Sequence, residues 1–443
     1  MTLFGRRTTL VSIGTVGLLT GLAYLTSIAR DAILAAYYGG SAALDIYFIA
    51  LSPSQFLGME IASLSYLAFL PEFSRFIGVG DKSRLSRLLH ERVAFTIKGS
   101  LGVAVLLTIT GVLLTPVIAP GYASSTLLRS VRISFACLSL LVPILGVIGV
   151  FRAFLEAHGR FAPWTLLPAF RSGVLIAVVL LSAVHLSVAW LLVGSVLGAA
   201  AALAFTWSRV RAQPSYAPIR TGANDRSASP LPPSLAPLIA SLIAGQGTVM
   251  LDNAFASGTG IGGVQALALA SNLLVVPQAL ITGAVATVYF PVYGAHVARG
   301  DHADAFASLQ RSIRLVVWCA IPVVVLFCTD AGTLATQLIY QRGVFDYGMV
   351  QLVSQTAAGL ALGLAPYAAM VLMRQYALVA GNPWLVFHTA AILFGAKWGG
   401  NLVLTPRFGV PGIALSSSIG ATATCIYLAL RVSRLARSSA GSA

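Results

Sequence analysis

The chain has 443 residues, 57% of them hydrophobic and only 9% charged, with a mean hydropathy of +0.87. Soluble domains carry about 25% charged residues, so an ordinary cytosolic protein is excluded. The net charge of +15 does not mark a nucleic-acid partner, because the basic residues are scattered over short loops between apolar segments rather than massed on one polar domain.

A membrane-spanning helix needs about 20 mostly apolar residues. Stretches of this kind fall near 10–37, 42–69, 93–118, 131–155, 161–184, 187–208, 234–256, 262–293, 312–339, 349–380, 383–404 and 411–431, which makes twelve. The first follows Arg6-Arg7 and is too long for a cleaved leader. With both termini placed in the cytoplasm, alternation leaves only Arg129, Arg132, Arg342 and Arg407 in outer loops. Arg30, Arg171, Arg374 and Lys397 stay within helices or at their ends, and the rest of the 28 Lys and Arg face inward. That asymmetry is the positive-inside pattern of a multi-pass membrane protein.

The longest polar stretch joins the sixth and seventh spans and is rich in Pro, Ser and Arg, as a flexible linker is. The expected architecture is therefore all-α and polytopic. A six-helix bundle over 1–208, a cytoplasmic linker over 209–233 and a second six-helix bundle over 234–443 would surround a central cavity. Halving of this kind is common among transporters with a midplane site. Small-xxx-small pairs such as Gly17/Gly21, Gly194/Gly198 and Gly359/Gly363 predict close helix packing. Pro53, Pro143, Pro168, Pro277 and Pro366 sit inside the spans, where they kink helices.

Cys137, Cys319, Cys328 and Cys425 stand singly in apolar runs and carry no metal or disulfide spacing. Neither a phosphate-binding GxxxxGK[ST], nor HExxH, nor GxSxG is present. A cofactor is not expected, and the chain reads as a transporter rather than an enzyme.

The candidate site lies in charges that interrupt the spans. Each costs about 3 kcal/mol on insertion scales, so such residues tend to face protein or a wet cavity. Arg30 and Asp31 end the first apolar run, and Asp45 sits near the outer start of the second. Arg30 and Asp45 are placed to meet across the hairpin, either as a structural ion pair or as an anion contact with its orienting acid. Arginine suits bidentate recognition of phosphate or carboxylate. Glu60 and Asp252 are candidate coupling-ion carboxylates. Arg374 can snorkel towards the cytoplasmic face, whereas Lys397, in mid-helix, cannot and is a cavity candidate.

Ala29-Arg30-Asp31-Ala32-Ile33, Gly39-Gly40 and Asp45-Ile46-Tyr47-Phe48 resemble the opening "RD…FG…DAFF" of the MviN/MurJ lipid II flippases, within the MOP exporter superfamily. The likeness continues through Leu70-Pro71-Glu72-Phe73, Ala119-Pro120-Gly121-Tyr122, Leu251-Asp252 and Phe290-Pro291. It goes on with Tyr340-Gln341-Arg342-Gly343-Val344-Phe345 and with Arg374 before Gly381-Asn382-Pro383. These short motifs run in order over most of the chain. The resemblance implies two helical bundles that move an undecaprenyl-pyrophosphate-linked saccharide (lipid II or a related glycan) across the inner membrane by alternating access. It implies that Arg30 contacts the pyrophosphate and that Asp45 is a needed acid. Implied partners are the lipid-linked saccharide, the bilayer and glycosyltransferases of the cell envelope.

The chain departs from the family at several arginines. Tyr24 stands where the family has its other first-helix arginine, Leu57-Gly58 replaces a second-helix pair, and Asn272 replaces an eighth-helix arginine. The alternative reading is a proton- or Na⁺-coupled drug exporter of the same superfamily, working through Asp45, Glu60 or Asp252.

Overall fold

The computed structural model describes residues 6–79, 82–122, 125–160, 162–183, 186–214, 216 and 235–440, and among them it is helical throughout, with no strand. The chain divides into two compact units. One comprises Met1–Tyr38, Ile46–Val117 and Tyr122–Ala228; the other comprises Gly39–Asp45, Ile118–Gly121 and Ser229–Ala443. Most of the linker expected over 209–233 lies outside the described residues, although the preceding helix reaches Arg211.

The first unit is built from α1 (Arg6–Tyr38), α2 (Ala42–Val79), α3 (Lys82–Leu113), the single turn α4 (Thr115–Ile118), α5 (Ser125–Leu138), α6 (Leu141–Ala157), the single turn α7 (Ala162–Thr165), α8 (Leu167–Leu181) and α9 (Val188–Arg211). Of these, α2, α3, α8 (taken from Pro163) and α9 are long and apolar enough to cross a bilayer, as is the stretch Leu127–Ala157. Phe69 and Phe73 of α2, Leu85 and Leu89 of α3, Phe151 and Phe154 of α6, and Val210 of α9 form one buried cluster. The opposite faces remain just as apolar: Leu181 is 87% exposed, and Leu106 and Val117 are also bare. A helix that is hydrophobic all round suits lipid, because acyl chains replace a core.

Small residues set how closely the helices approach. A Cβ built on Gly149 of α6 would lie 2.4 Å from the Ala62 carbonyl oxygen of α2, and one on Gly58 of α2 would lie 2.7 Å from Leu145 of α6. Gly194 and Gly198 of α9 meet α8 in the same way, at Leu175 and at the Arg171 backbone. Around Gly21 there is open space, and the Gly17 side of that pair falls outside the described side chains. Without a hydrophobic drive between helices in lipid, such contacts are what hold the bundle.

The second unit comprises α10 (Leu235–Gly258), α11 (Gly263–Gln278), α12 (Ala284–Ala298), α13 (His302–Cys328), α14 (Asp330–Tyr340), α15 (Tyr347–Ala361), α16 (Leu364–Val379), α17 (Trp384–Phe408) and α18 (Val410–Ala440). Tyr293, Leu309, Val316, Met370, Met373, Tyr376 and Leu428 are its main buried cluster. Pro277 lacks the N–H that would continue α11, and the chain answers with a π turn over Ala279–Gly283 before α12 resumes the same span. Between α15 and α16 the axis bends by 45°, with Pro366 in the first turn beyond the break. The span expected over 312–339 is interrupted by Thr329, whose backbone is extended (φ −115°, ψ 171°), so α13 and α14 are separate helices.

Eight spans and the bent α15–α16 pair pass on length and apolarity among the described residues. Three more helices have the length to cross: α1, with 33 residues, α10, with 24, and α17, with 25. Together they make the twelve crossings expected. These last three are the helices that carry Arg30 and Asp31, Asp252, and Lys397.

Gly149→Val should cost roughly 1–3 kcal/mol or more through overpacking against Ala62. Gly99→Val, at a position with nothing within 4 Å, should cost little. Thermal unfolding of the two variants in one detergent reads the difference, and equal midpoints would contradict the packing account.

Candidate functional site

In α1 the Arg30 guanidinium donates twice to one carboxylate oxygen of Asp31, from Nε at 2.9 Å and from Nη2 at 2.7 Å. The Asp31 side chain is 2% exposed and that of Arg30 is 19% exposed. Adjacent residues on a helix normally diverge, so this pair forms only because the arginine folds back along its own helix. Arg30 thereby arrives at the site with its charge already balanced.

One turn earlier, Ser27 of α1 lies 3.4 Å from Ser172 of α8, which brings Arg171 beside Arg30. The hydroxyl of Tyr47 in α2 lies 2.8 Å from Ser195 of α9. Arg171 donates from Nη2 to Gln55 Oε1 of α2 at 3.0 Å, and it has no carboxylate partner among the described residues.

Other arginines of this unit are answered by acids. Arg92 binds Glu72 at 2.9 Å, and Arg152 binds Glu156 at 2.8 Å between the rings of Tyr66 and Trp164. Arg171 is thus an uncompensated cation in a spanning helix. It lines a cavity of about 260 Å³, whose walls include Tyr24 of α1, Met59 of α2, Leu145 of α6, and Trp164 and Thr165 of α7. The cavity offers mostly apolar surface with one guanidinium on its wall, a combination that accepts an amphiphile bearing an anionic group.

Sequence reasoning placed Arg171 within a helix and assigned it nothing. Its signal was faint: an arginine three residues beyond Pro168 in an apolar run. What gives it meaning is the position of α8 against α1.

Asp45 occupies a different setting. It is fully buried, and its two carboxylate oxygens accept from the backbone N–H groups of Gly262 at 2.6 Å and Gln265 at 2.7 Å. It therefore caps α11 from outside that helix, at the positive end of the helix dipole. Gly262, at φ +100°, adopts the left-handed backbone that presents its N–H to the carboxylate, and an L side chain there would be strained. The loop before α2 is tied to the same end. Gly40 N donates to Gln265 Oε1 at 3.0 Å, and Gln265 Nε2 donates to the Ser41 carbonyl at 3.4 Å. Gly121 closes in as well, its α-carbon so near Ser257 that a Cβ would fall 1.9 Å from the carbonyl oxygen. The hairpin geometry that set Arg30 and Asp45 face to face in sequence thus gives each carboxylate its own engagement: Asp31 with Arg30, Asp45 with α11.

Asp252 of α10 and Lys397 of α17 form an ion pair, which joins a candidate coupling residue to a candidate substrate residue. Glu60 of α2, Asn272 of α11 and Arg374 of α16 are half-buried, and each makes polar interactions of its own. Among the described residues no group of three or more His, Cys, Asp and Glu has the spacing to hold a metal.

This architecture, long apolar helices in two units with charges confined to a few positions, is that of a multi-pass membrane transporter. A family model described as lipid II flippase MurJ matches residues 34–441, and the chain belongs to that family. A probable lipid II flippase MurJ of Rhizobium tropici is 24% identical over 414 residues, covering 90% of this chain and 76% of the relative. One from Helicobacter pylori is 25% identical over 173 residues, 38% of this chain and 36% of the relative. Among solved structures, a lipid II flippase MurJ in an inward closed conformation superposes with a TM-score of 0.75 at 19% identity, over 94% of this chain and 87% of that one. An inward-facing multidrug resistance MATE transporter of the MOP superfamily gives 0.68 at 14% identity, over 93% and 95%. At these identities the structural likeness concerns the fold alone.

Asp45→Ala should strip the cap from α11 and raise amide hydrogen exchange at Gly262 and Gln265 by about tenfold or more, since a charge-assisted bond contributes ~1.5–3 kcal/mol. Unchanged exchange at those amides would show that the carboxylate does not hold the helix end.

Proposed function

We propose that the chain flips lipid II, or a closely related polyprenyl-pyrophosphate-linked saccharide, across the inner membrane of a bacterium. The observation that carries this reading is the Arg171 guanidinium, which has no carboxylate partner among the described residues, on the wall of the apolar cavity of the first unit. A pyrophosphate needs several charge-assisted donors, and a polyprenyl tail needs an apolar surface next to them. Membership of the flippase family supports the same substrate class.

The residues at the cavity bear on the missing family arginines. Tyr24 stands where the resemblance expects an arginine and lines the same cavity as Arg171. An arginine on α8 facing that space restores a guanidinium from another wall. Arg30, oriented by Asp31, supplies the second. In this reading Asp31 is a positioning acid, and an incoming pyrophosphate competes with it for Arg30.

The two units are the bundles of an alternating-access cycle. Both termini lie in the cytoplasm, and cell-envelope glycosyltransferases act on the same carrier lipid before and after it crosses. Asn272 and Arg374 are secondary candidates for contacts in the second unit. A drug exporter is supported by the MATE-like fold alone.

Depletion of the protein followed by mass spectrometry of lipid-linked intermediates tests the substrate, because the species that accumulates names it. Arg30→Ala and Arg171→Ala should each lower flipping about tenfold or more, for the loss of ~1.5–3 kcal/mol of anion contact. The protein should remain inserted, and Arg171→Lys should retain part of the activity. Full flipping by Arg171→Ala in reconstituted vesicles would remove that residue from the site.

A further inference from the structure

The chain has six tryptophans, and most of them are placed as a membrane protein places indoles. Trp190, Trp318, Trp384 and Trp398 are exposed on the apolar flanks of their helices, towards lipid or its boundary. Trp207 of α9 is taken up by its neighbours, with Phe151 stacked at 5.3 Å, Tyr216 edge-on at 5.6 Å and Arg211 over the ring. Trp164 differs from all of these. It is half-buried in the single turn α7, and it lines the same cavity as Arg171.

The indole is held in place. The Arg152 guanidinium of α6 lies over its ring, 4.3 Å from the centroid, and over the Tyr66 ring of α2 at 4.1 Å. Arg152 Nε donates to Glu156 at 2.8 Å, so the stacked cation is already matched in charge. The stack joins α2, α6 and α7, each of which contributes to the cavity wall. Leu166, between α7 and α8, keeps helical backbone angles (φ −84°, ψ −13°). Trp164 and Arg171 are seven residues apart and therefore stand two turns from each other on one side of that rod, about 10 Å along it.

A guanidinium and a fixed aromatic ring at that spacing suit the two parts of a glycosyl diphosphate. The guanidinium takes phosphate oxygens. A pyranose has a face made of C–H bonds, which packs on an aromatic plane, and a ring already immobilised loses little entropy in receiving it. Tyr24 and Thr165, which carry hydroxyls, belong to the same wall. A polyprenyl tail needs no flat surface, and leucine would serve it as well. We propose that Trp164 is the stacking platform for the sugar ring next to the pyrophosphate, and that it favours the glycosylated carrier over bare polyprenyl pyrophosphate. The inference rests on the flippase reading and adds a specificity residue to it.

Native mass spectrometry of the full-length protein, titrated with two lipids, tests it. One is lipid II; the other is undecaprenyl pyrophosphate, which has the same tail and anion but no sugar. The wild type should bind lipid II more tightly. Trp164→Ala should lower that affinity about tenfold and leave undecaprenyl pyrophosphate unchanged, while Trp164→Phe keeps a ring and part of the preference. Arg171→Ala should weaken both lipids. A Trp164→Ala protein that holds lipid II as the wild type does, or that loses both lipids alike, overturns the platform and leaves the flippase reading standing. A wild type that binds neither lipid overturns that reading and this inference with it. If Trp164→Ala does not fold, Trp164→Leu keeps an apolar side chain without the flat face and takes its place.

Discussion

A carboxylate inside a bilayer has no water to solvate it, and Asp45 meets that constraint at the start of α11 in the second unit. Its two oxygens take two of the backbone N–H groups that the first turn of α11 would otherwise leave unsatisfied. One contact thus relieves two debts, the charge and the helix end. Its geometry depends on Gly262 in the left-handed region and on the Gly40–Ser41 turn clasped by Gln265. The segment Gly39–Asp45 belongs to the second unit although it precedes most of the first in the chain.

The same constraint sorts the remaining intramembrane charges. Asp31 and Asp252 are each matched to a cation, Arg30 and Lys397, within hydrogen-bond reach. Arg171 is matched only to the neutral amide of Gln55. Burying an unpaired charge is costly, and Arg171 carries that cost on the wall of a cavity. The first unit therefore differs electrostatically from the second, where the lysine answers its own carboxylate.

Packing allows these polar contacts to form at short range. Gly149 against Ala62, Gly198 against Arg171 and Gly420 against Lys397 bring helix axes close enough for short side chains to reach across. Breaks in helices occur where the backbone has a reason for them. Pro277 precedes the π turn, and Pro366 follows the 45° bend. Thr329 parts α13 from α14 without a proline, through an extended backbone that hydropathy does not register.

The crossings were legible in the sequence because each is a local property: about 20 apolar residues suffice to define a span, whatever they pack against. Family membership was legible for a similar reason, since its motifs lie in short contiguous runs such as Ala29–Ile33 and Asp45–Phe48. The identity of the intramembrane charges was equally plain, because any charge stands out against apolar neighbours. Their partners were not. Asp45 finds Gly262 at 217 positions' separation, and Lys397 finds Asp252 at 145, distances over which no periodicity carries information. Arg171 looked like one more arginine near a helix end until α8 was set against α1. Amino-acid sequence alone determined that this chain crosses the membrane about twelve times and which of its charges must be accounted for. Only tertiary structure decided that Asp31, Asp45 and Asp252 are answered while Arg171 meets a neutral amide, because solvation inside a bilayer is supplied by whatever side chain or backbone end folding brings alongside.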